Sequence, residues 1–312
     1  MARRGGAEGP SGLVVIDKEP GWTSHDVVAK LRRFLGQRRT GHAGTLDPSA
    51  TGVLLVGVGR ATRLLRYLQE TTKGYDGELV LGATTTTLDA DGEITATFAM
   101  ETISEEQVRL AATALTGDLN QIPPMVSALK VDGVRLHELA RQGIEVERAA
   151  RAVRVSRFDI SSGSAPGRFR FEVDCSSGTY IRSLVDDLGR ALGGGAHLGL
   201  LRRNRVGAFG LDGAHRLRVF EERYEAAVAT GGTPELRDLL LTPAQALSAL
   251  PLRTVDQGEL SDVHHGRTLE YRGESLGPVA VHDESGALVA VYRSTAGGPL
   301  TAEVVLAVGD AG

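Results

Sequence analysis

Arg168-Phe169-Arg170-Phe171-Glu172-Val173-Asp174-Cys175 alternates without a break. Successive side chains of an extended chain point to opposite faces, so Phe169, Phe171, Val173 and Cys175 share one face and Arg168, Arg170, Glu172 and Asp174 the other. That is a strand with one buried and one wet side. Shortly after it, Leu184, Val185, Leu188 and Leu192 recur at helical spacing, and glycines 193–195 stop the run. A half-buried strand followed by an amphipathic helix predicts a sheet with helices laid on it, a mixed α/β (α+β) fold. Between the two, Tyr180-Ile181-Arg182 read as extended returns Tyr180 and Arg182 to one face, with Arg182 at a strand end.

The same reading extends outward. Leu13 to Ile16 and Val53 to Val58 are apolar enough for buried strands, and residues 75–82 and 94–98 read as strands around an Asp89-Ala90-Asp91-Gly92 turn. A helix is expected from about Ser24, with Val27, Val28, Leu31, Phe34 and Leu35 on one stripe. Ser104-Glu105-Glu106-Gln107 is a capping box opening a further helix. Residues 120–145 lack a period until Leu136 and predict a mobile loop or small insertion. Arginines at 148, 151, 154 and 157 mimic a helical stripe, but Val153, Val155 and Phe158 favour a strand over 151–160. Thr242-Pro243-Ala244-Gln245 caps a helix that Pro251 ends, which places a domain boundary there. Residues 252–310 then predict a small β-rich domain after a catalytic unit spanning 11–250.

The chain has 312 residues, enough for about two domains. No apolar stretch approaches the length of a membrane span, and Met1 to Pro10 lack the apolar core of a secretory signal. A single cysteine, Cys175, excludes an internal disulfide and a cysteine-cluster zinc site; its place on the apolar strand face predicts a core residue. The formal net charge is -4, but its distribution is uneven. Residues 28–68 hold eight Lys or Arg and one acid, Asp47; residues 190–218 hold six arginines and one acid, Asp212. Residues 70–107 are the reverse, with nine acids against Lys73. Such local fields suit a polyanion, or are solvated helix faces.

No P-loop, dinucleotide fingerprint or zinc motif is present, so neither a cofactor nor a metal is expected. Chemistry is concentrated in Gly41-His42-Ala43-Gly44-Thr45-Leu46-Asp47-Pro48-Ser49-Ala50-Thr51-Gly52, a small-residue segment with one carboxylate in basic surroundings. A lone Asp before Pro ordinarily forms a turn. The alternative is a buried carboxylate held ionised by an arginine, for which Arg182 is the candidate, and such a group can act as a nucleophile.

With Ser176-Ser177-Gly178-Thr179-Tyr180-Ile181-Arg182-Ser183-Leu184 and Ala196-His197-Leu198-Gly199-Leu200-Leu201-Arg202-Arg203, that block resembles the TruB family of bacterial tRNA pseudouridine synthases. Leu13 to Ser24, Lys73-Gly74-Tyr75 and Pro123 to Lys130 match it as well. The resemblance covers residues 11–245 closely and the tail more loosely. It implies a pseudouridine-synthase catalytic domain with a mixed, mainly antiparallel sheet, an RNA-contacting insertion at about 120–150, and a PUA-like RNA-binding domain at 252–310. It implies isomerisation of uridine-55 in the T-loop of a folded tRNA T-arm, without a cofactor, by a cytoplasmic and monomeric enzyme needing no protein partner. Asp47 is then the catalytic aspartate, Arg182 its ion-pair partner and Tyr75 the ring that stacks on uracil. Tyr180 packs beside the pocket, Leu200 lines it, Lys18 supports it, and His42 fills the gap left by the flipped base. Lys130, Arg202 and Arg203 join the RNA-contacting residues. One departure is Arg135-Leu136-His137-Glu138, where the family commonly has Tyr in place of His137.

Three other readings compete. A noncatalytic RNA-binding or RNA-folding protein would not need a carboxylate facing RNA. An RNA N-glycosidase would need an activated water and an exit for the base. A guide-dependent RNA isomerase would need protein partners.

Overall fold

Apolar sequence is continuous where the chain is buried on two sides and alternating where it is buried on one. The structure, a computed structural model, describes residues 9–306 except 128, 132, 145, 271, 272, 274, 275 and 297. Strand β1 (Gly12–Lys18) is buried along its length apart from Asp17. Helix α1 (Ser24–Phe34) opens on a capping box in which Thr23 and Asp26 satisfy each other's backbone N–H, and it buries Val27, Val28, Leu31 and Phe34. Strands β2 (Thr40–Ala43) and β3 (Thr51–Val58) follow, the second pairing antiparallel with all of β1. A 3-10 turn over Gly59–Leu64 and helix α2 (Leu65–Gln69) lead into β4 (Lys73–Leu81). The hairpin β5 (Ala83–Thr85) and β6 (Ile94–Thr97) flanks the Asp89 turn.

Helix α3 (Glu105–Ala114) carries the expected Ser104–Gln107 box, and β7 (Gly117–Gln121) follows it. The insertion is a short hairpin, β8 (Lys130–Val131) and β9 (Val134–Arg135), with one short helix, α4 (Leu136–Arg141). Strands β10 (Arg151–Ser162) and β11 (Arg168–Cys175) pair antiparallel, with a bulge between Val155 and Arg157. The bulge lets Arg154 and Arg157 both face water although three residues apart, which is why the sequence there imitates a helix. All four apolar residues of the β11 alternation are buried, Cys175 among them.

Helix α5 (Ile181–Ala191) begins earlier than its apolar stripe indicated. Arg182 therefore sits in the first turn of a helix, not at a strand end. Tyr180 is the N-cap residue with extended backbone, and the chain turns helical directly after it. Strand β12 (Ala196–Val206), short strands β13 (Phe209–Gly210) and β14 (His215–Arg216), and helix α6 (Leu217–Ala229) follow, then the one-turn α7 (Pro243–Ala246) with its Thr242–Gln245 box.

The large sheet runs β14-β1-β3-β12-β4-β11-β10-β7, with β2 on β3 and β13 on β12. It is mainly antiparallel; β1–β14 and β3–β12 are the parallel pairs. At the second of these, Gly52 has φ +99° and faces the Arg203 backbone so closely that any side chain would collide with it. One core forms where α3 and α5 cover β4, β10 and β11, including Leu79, Phe171, Val173 and Leu184. A second forms where α1 and α6 cover one face of β1 and β3, including Ile16, Leu31, Leu54 and Phe220.

Beyond Pro251 the chain builds a separate sheet, β15-β16-β17-β18, from Leu252–Thr254, Gly277–His282, Leu288–Ser294 and Thr301–Val305. Helix α8 (Gln257–His264), which the sequence reading did not contain, covers one face around Val263, Val279 and Tyr292. The other face packs on the large sheet: Ala280, Leu288, Val291 and Val304 join one apolar cluster with Leu13, Val15, Leu55, Leu65 and Tyr67. Polar contacts rim this junction. The Tyr67 hydroxyl donates to Glu303 at 2.9 Å, Arg66 pairs with Glu303 at 3.1 Å, and Arg63 donates to the Val305 carbonyl at 2.6 Å. Thus β1 and β3 are covered on both faces, which explains their unbroken apolar runs.

Candidate active site

Between the two helical cores lies a cavity of about 320 Å³, lined by Asp47, Tyr75, Tyr180, Arg182, Leu201 and Arg203 among others. Leu201 packs against both cores, marking the cavity as their seam. The loop between β2 and β3 supplies Asp47, and it is fixed at both of that residue's neighbours. Ser24 Oγ donates to the Leu46 carbonyl and accepts from the Leu46 N–H, at 3.2 and 2.9 Å. Lys18, 1% exposed, donates from Nζ to the carbonyls of Glu19, Trp22 and Pro48 at 3.1, 2.8 and 3.1 Å. Lys18 thus joins the Pro20–Gly21 turn to the Asp47 loop from behind the cavity wall.

Arg182 reaches Asp47 with Nη2 at 3.0 Å from Oδ2. The same guanidinium donates to the carbonyls of Thr87 and Val126, each at 2.9 Å, and its Nε lies 3.6 Å from Asp89 Oδ2. A cation in the first turn of a helix opposes the helix dipole, and two carboxylates offset this. Burial pushes the Asp47 carboxyl above its ordinary value; Arg182 opposes this, Asp89 adds to it, and Lys18 opposes it. Asp47 still keeps 38% of its side-chain surface open, so a ligand in the cavity can reach it.

The opposite influences act on Lys18: burial lowers it to about 8, Asp47 resists and Arg203 assists. Tyr75 comes from β4 and is buried; burial raises its phenol, against the Arg203 guanidinium. Tyr180 is tied to β7 through both polar ends of the Gln121 amide, at 2.7 and 3.0 Å.

The sequence reading brought Asp47, Tyr75, Tyr180 and Arg182 toward one place, and the structure puts these four on this cavity, with Arg203 beside them. Other expectations need correction. Leu200 does not line this cavity, whose wall Leu201 occupies; it is 67% exposed and lines a smaller pocket that also touches Asp47 and Asp89. A bulge in β12 between Leu198 and Leu200, opposite β4, shifts the alternation by one residue, so that Leu201 rather than Leu200 faces inward after Leu198. Arg203 is 1% exposed and does not face outward as a phosphate grip. Its guanidinium donates to the carbonyls of Val53, Thr45 and Gly44 at 2.7, 3.3 and 3.3 Å. Arg202 is half-exposed and pairs with Asp17 at 3.0 Å. His42, expected in the gap of the RNA stack and not on the cavity, stands outside the cavity lining, edge-on to His25 with ring centroids 5.3 Å apart. Burial, then His25, lowers its pKa and favours the neutral ring. The side chains of Lys130 and His137 lie outside the described residues.

Asp89, Lys73, Gln69 and Ser127 were missed as neighbours of the site. The Asp89 turn was visible in the sequence; its approach to Arg182 was not, because the two are far apart in the chain. Among the described residues no group of His, Cys, Asp and Glu is arranged to hold a metal ion, and no helix is long and apolar enough to cross a membrane.

Residues 32–181 match the TruB family pseudouridylate synthase N-terminal domain, and residues 182–248 the tRNA pseudouridylate synthase B C-terminal domain. The chain belongs to the TruB family of pseudouridylate synthases. Similar TruB-family relatives include tRNA pseudouridine synthase B of Rhodococcus jostii, 47% identical over 91% of this chain and 90% of that protein. The protein of the same name from Corynebacterium aurimucosum is 48% identical over 91% and 92%. Among solved structures, a Cbf5-Nop10-Gar1 complex contains a chain with TM-score 0.72 and 26% identity, covering 94% of this chain and 83% of that one. An H/ACA RNP bound to a substrate RNA containing 2'-deoxyuridine gives 0.71 and 25%, covering 94% and 84%. The sheet at 252–306 lies beyond both matched family segments.

Proposed function

We propose that this TruB-family isomerase converts uridine-55 in the T-loop of tRNA to pseudouridine, with Asp47 as its catalytic carboxylate. The observation that carries the reading is the Asp47–Arg182 pair, at 3.0 Å, on the wall of a cavity that also holds a buried tyrosine. Isomerisation breaks N1–C1′ and joins C5 to C1′; the atoms balance without an oxidant or a co-substrate. The obstacle is detaching uracil while keeping it near enough to rejoin, which a close-fitting cavity solves by proximity.

Asp47 is held ionised by Arg182 and Lys18 against its own burial, and serves as nucleophile at C1′ or C6 or as base. Tyr75 supplies a ring for the base to stack on, with Leu201 at its edge and Tyr180 closing the side. Lys18 and Ser24 act at one remove, by fixing the loop on which Asp47 stands.

The target base must leave its stack, at a cost of a few kcal/mol. Phosphate contacts offset part of this. The exposed arginines 38 and 39, between α1 and β2 and close in sequence to His42, are better placed for that than Arg202 or Arg203. The sheet from 252 onward serves as a PUA-like RNA-binding unit, docked against the catalytic unit through its apolar face. The likeness to a chain of an H/ACA RNP bound to a substrate RNA supports RNA as the ligand, and the names of the similar relatives support tRNA.

The test is to incubate unmodified tRNA with the protein and identify the nucleoside at each uridine. Pseudouridine confined to position 55 is expected. Free uracil would indicate a glycosidase, and unmodified RNA across many tRNAs a binding protein.

A further inference from the structure

Lys73 stands on the cavity wall as a buried ammonium, 7% exposed. Its Nζ donates to the carbonyls of Gln69, the last residue of α2, and Thr71, in the turn before its own strand, at 2.9 and 3.1 Å. One N–H is left over, and among the described residues no carboxylate forms an ion pair with it. Arg203 lies beside it. A side chain at Gly44, which adopts φ +90°, would come within 3.7 Å of Arg203 Nη1 and 3.9 Å of Lys73 Cε. Two buried cations therefore converge on one wall, and neither has an acidic partner among the described residues.

Like charges held together away from water are unfavourable. For Arg203 the fold supplies a reason, since its carbonyl contacts tie the Asp47 loop to β3. The two acceptors of Lys73 lie within four residues of it in the chain, and a neutral donor would serve them. Asp47 is paired with Arg182, so what these two cations lack is an anion, and the cavity is where one would form.

We propose that Lys73 is a catalytic residue that stabilises the negative charge of the uracil ring after its bond to C1′ has broken. The proposal rests on the reading of the cavity given above. When N1–C1′ breaks, the bonding pair leaves with the base, and the charge spreads over N1, O2 and O4. Asp47 balances the sugar side, either as an ester at C1′ or as a counter-charge. Attack of C5 on C1′ then uses an electron pair of the ring and, where the ester has formed, breaks it and returns Asp47 as the free carboxylate; C5 loses its proton, and N1 gains one. A fixed ammonium beside the detached ring lowers the barrier to the first step and costs no reorganisation when the charge appears.

The test compares a T-arm RNA carrying uridine with one carrying 5-fluorouridine at the target position, reading in each the single-turnover loss of the starting nucleoside, because C5 of the fluorinated ring has no proton to lose and cannot complete the exchange. Fluorine withdraws electrons and makes the detached ring a weaker base, so that RNA needs less help. With uridine, Lys73→Met should lower the single-turnover rate about 100-fold while RNA affinity stays within about twofold; with 5-fluorouridine the loss should shrink to about tenfold or less. Lys73→Arg should recover most of the uridine rate. If Lys73→Met does not fold, Lys73→Gln replaces it, keeping a donor for the two carbonyls. An equal loss on both RNAs, or a loss confined to RNA affinity, would overturn the proposal. Asp47→Asn should be inert toward both RNAs. Absence of pseudouridine with the unmutated protein would instead refute the reading of the cavity, and the role of Lys73 with it.

Discussion

Replacing Arg203 with Gln separates an internal strut from an RNA contact. The Arg203 guanidinium makes three hydrogen bonds to carbonyls of the Asp47 loop and β3, one at 2.7 Å and two at 3.3 Å. Charge-assisted bonds of this kind contribute about 1.5–3 kcal/mol each, and the two long ones belong at the low end, giving a gross loss of roughly 5 kcal/mol. Relief from burying a guanidinium without an acidic partner offsets part of this, leaving a net loss of about 3–4 kcal/mol. For a protein of this size that is a fall in Tm of about 5 °C. The assay is thermal unfolding, paired with the salt dependence of RNA binding. Arg203 contacts no phosphate on this account, so the slope of log K against log salt should not change for folded Arg203→Gln. An unchanged Tm together with a slope reduced by about one phosphate contact would refute the reasoning and return Arg203 to the RNA surface.

Other expectations concern pH, the β12 bulge and the second sheet. Activity requires ionised Asp47, so kcat/KM should fall as pH drops through a value raised above the ordinary 3.8, and fall again on the alkaline side as Lys18 and Lys73 lose their protons at about 8. A pH profile flat from 4 to about 9 would contradict this. Leu201→Ala should cost about 2 kcal/mol and slow the chemical step, whereas Leu200→Ala should change stability by less than about 0.5 kcal/mol; urea unfolding and single-turnover rates together separate them, and equal effects would place the bulge wrongly. Removing residues from 252 onward uncovers Leu13, Val15, Leu55 and Leu65, so the shortened chain should unfold at lower temperature and self-associate in light scattering. A truncated chain as stable as the whole would mean that the shared cluster contributes little.

Local patterns carried much of the fold. The capping boxes at Thr242 and Ser104, the β11 alternation and the strand over 151–160 all depend on neighbours within a few residues, and all are present in the structure. The misreadings have a different character. A bulge hides which of two adjacent leucines faces inward, because one skipped residue reverses the alternation. Arg182 looked like a strand end because three residues cannot distinguish an extended chain from a helix N-cap and first turn. The arginine-rich run at 202–205 gave charge but not direction: Arg203 turns inward, Arg202 is spent on Asp17 and Arg205 on Asp174. The approach of Asp89 and Lys73 to the cavity is set by sheet order, which no local pattern encodes.

The most direct test is Asp47→Asn in a tritium-release assay with tRNA labelled at uracil C5, since C5 must give up its hydrogen on joining C1′. The substitution keeps the size of the side chain and removes the carboxylate. Because Asp47 has a raised pKa in the folded protein, its charge weakens the fold as pH rises through that value, so the variant should be no less stable at neutral pH; Arg182 keeps its bonds to Thr87 and Val126 and its contact with Asp89. RNA affinity should be preserved or slightly stronger, with one negative charge fewer facing the phosphates. The account predicts a folded, RNA-binding Asp47→Asn protein that releases no tritium and forms no pseudouridine; near-normal release by that protein would contradict it.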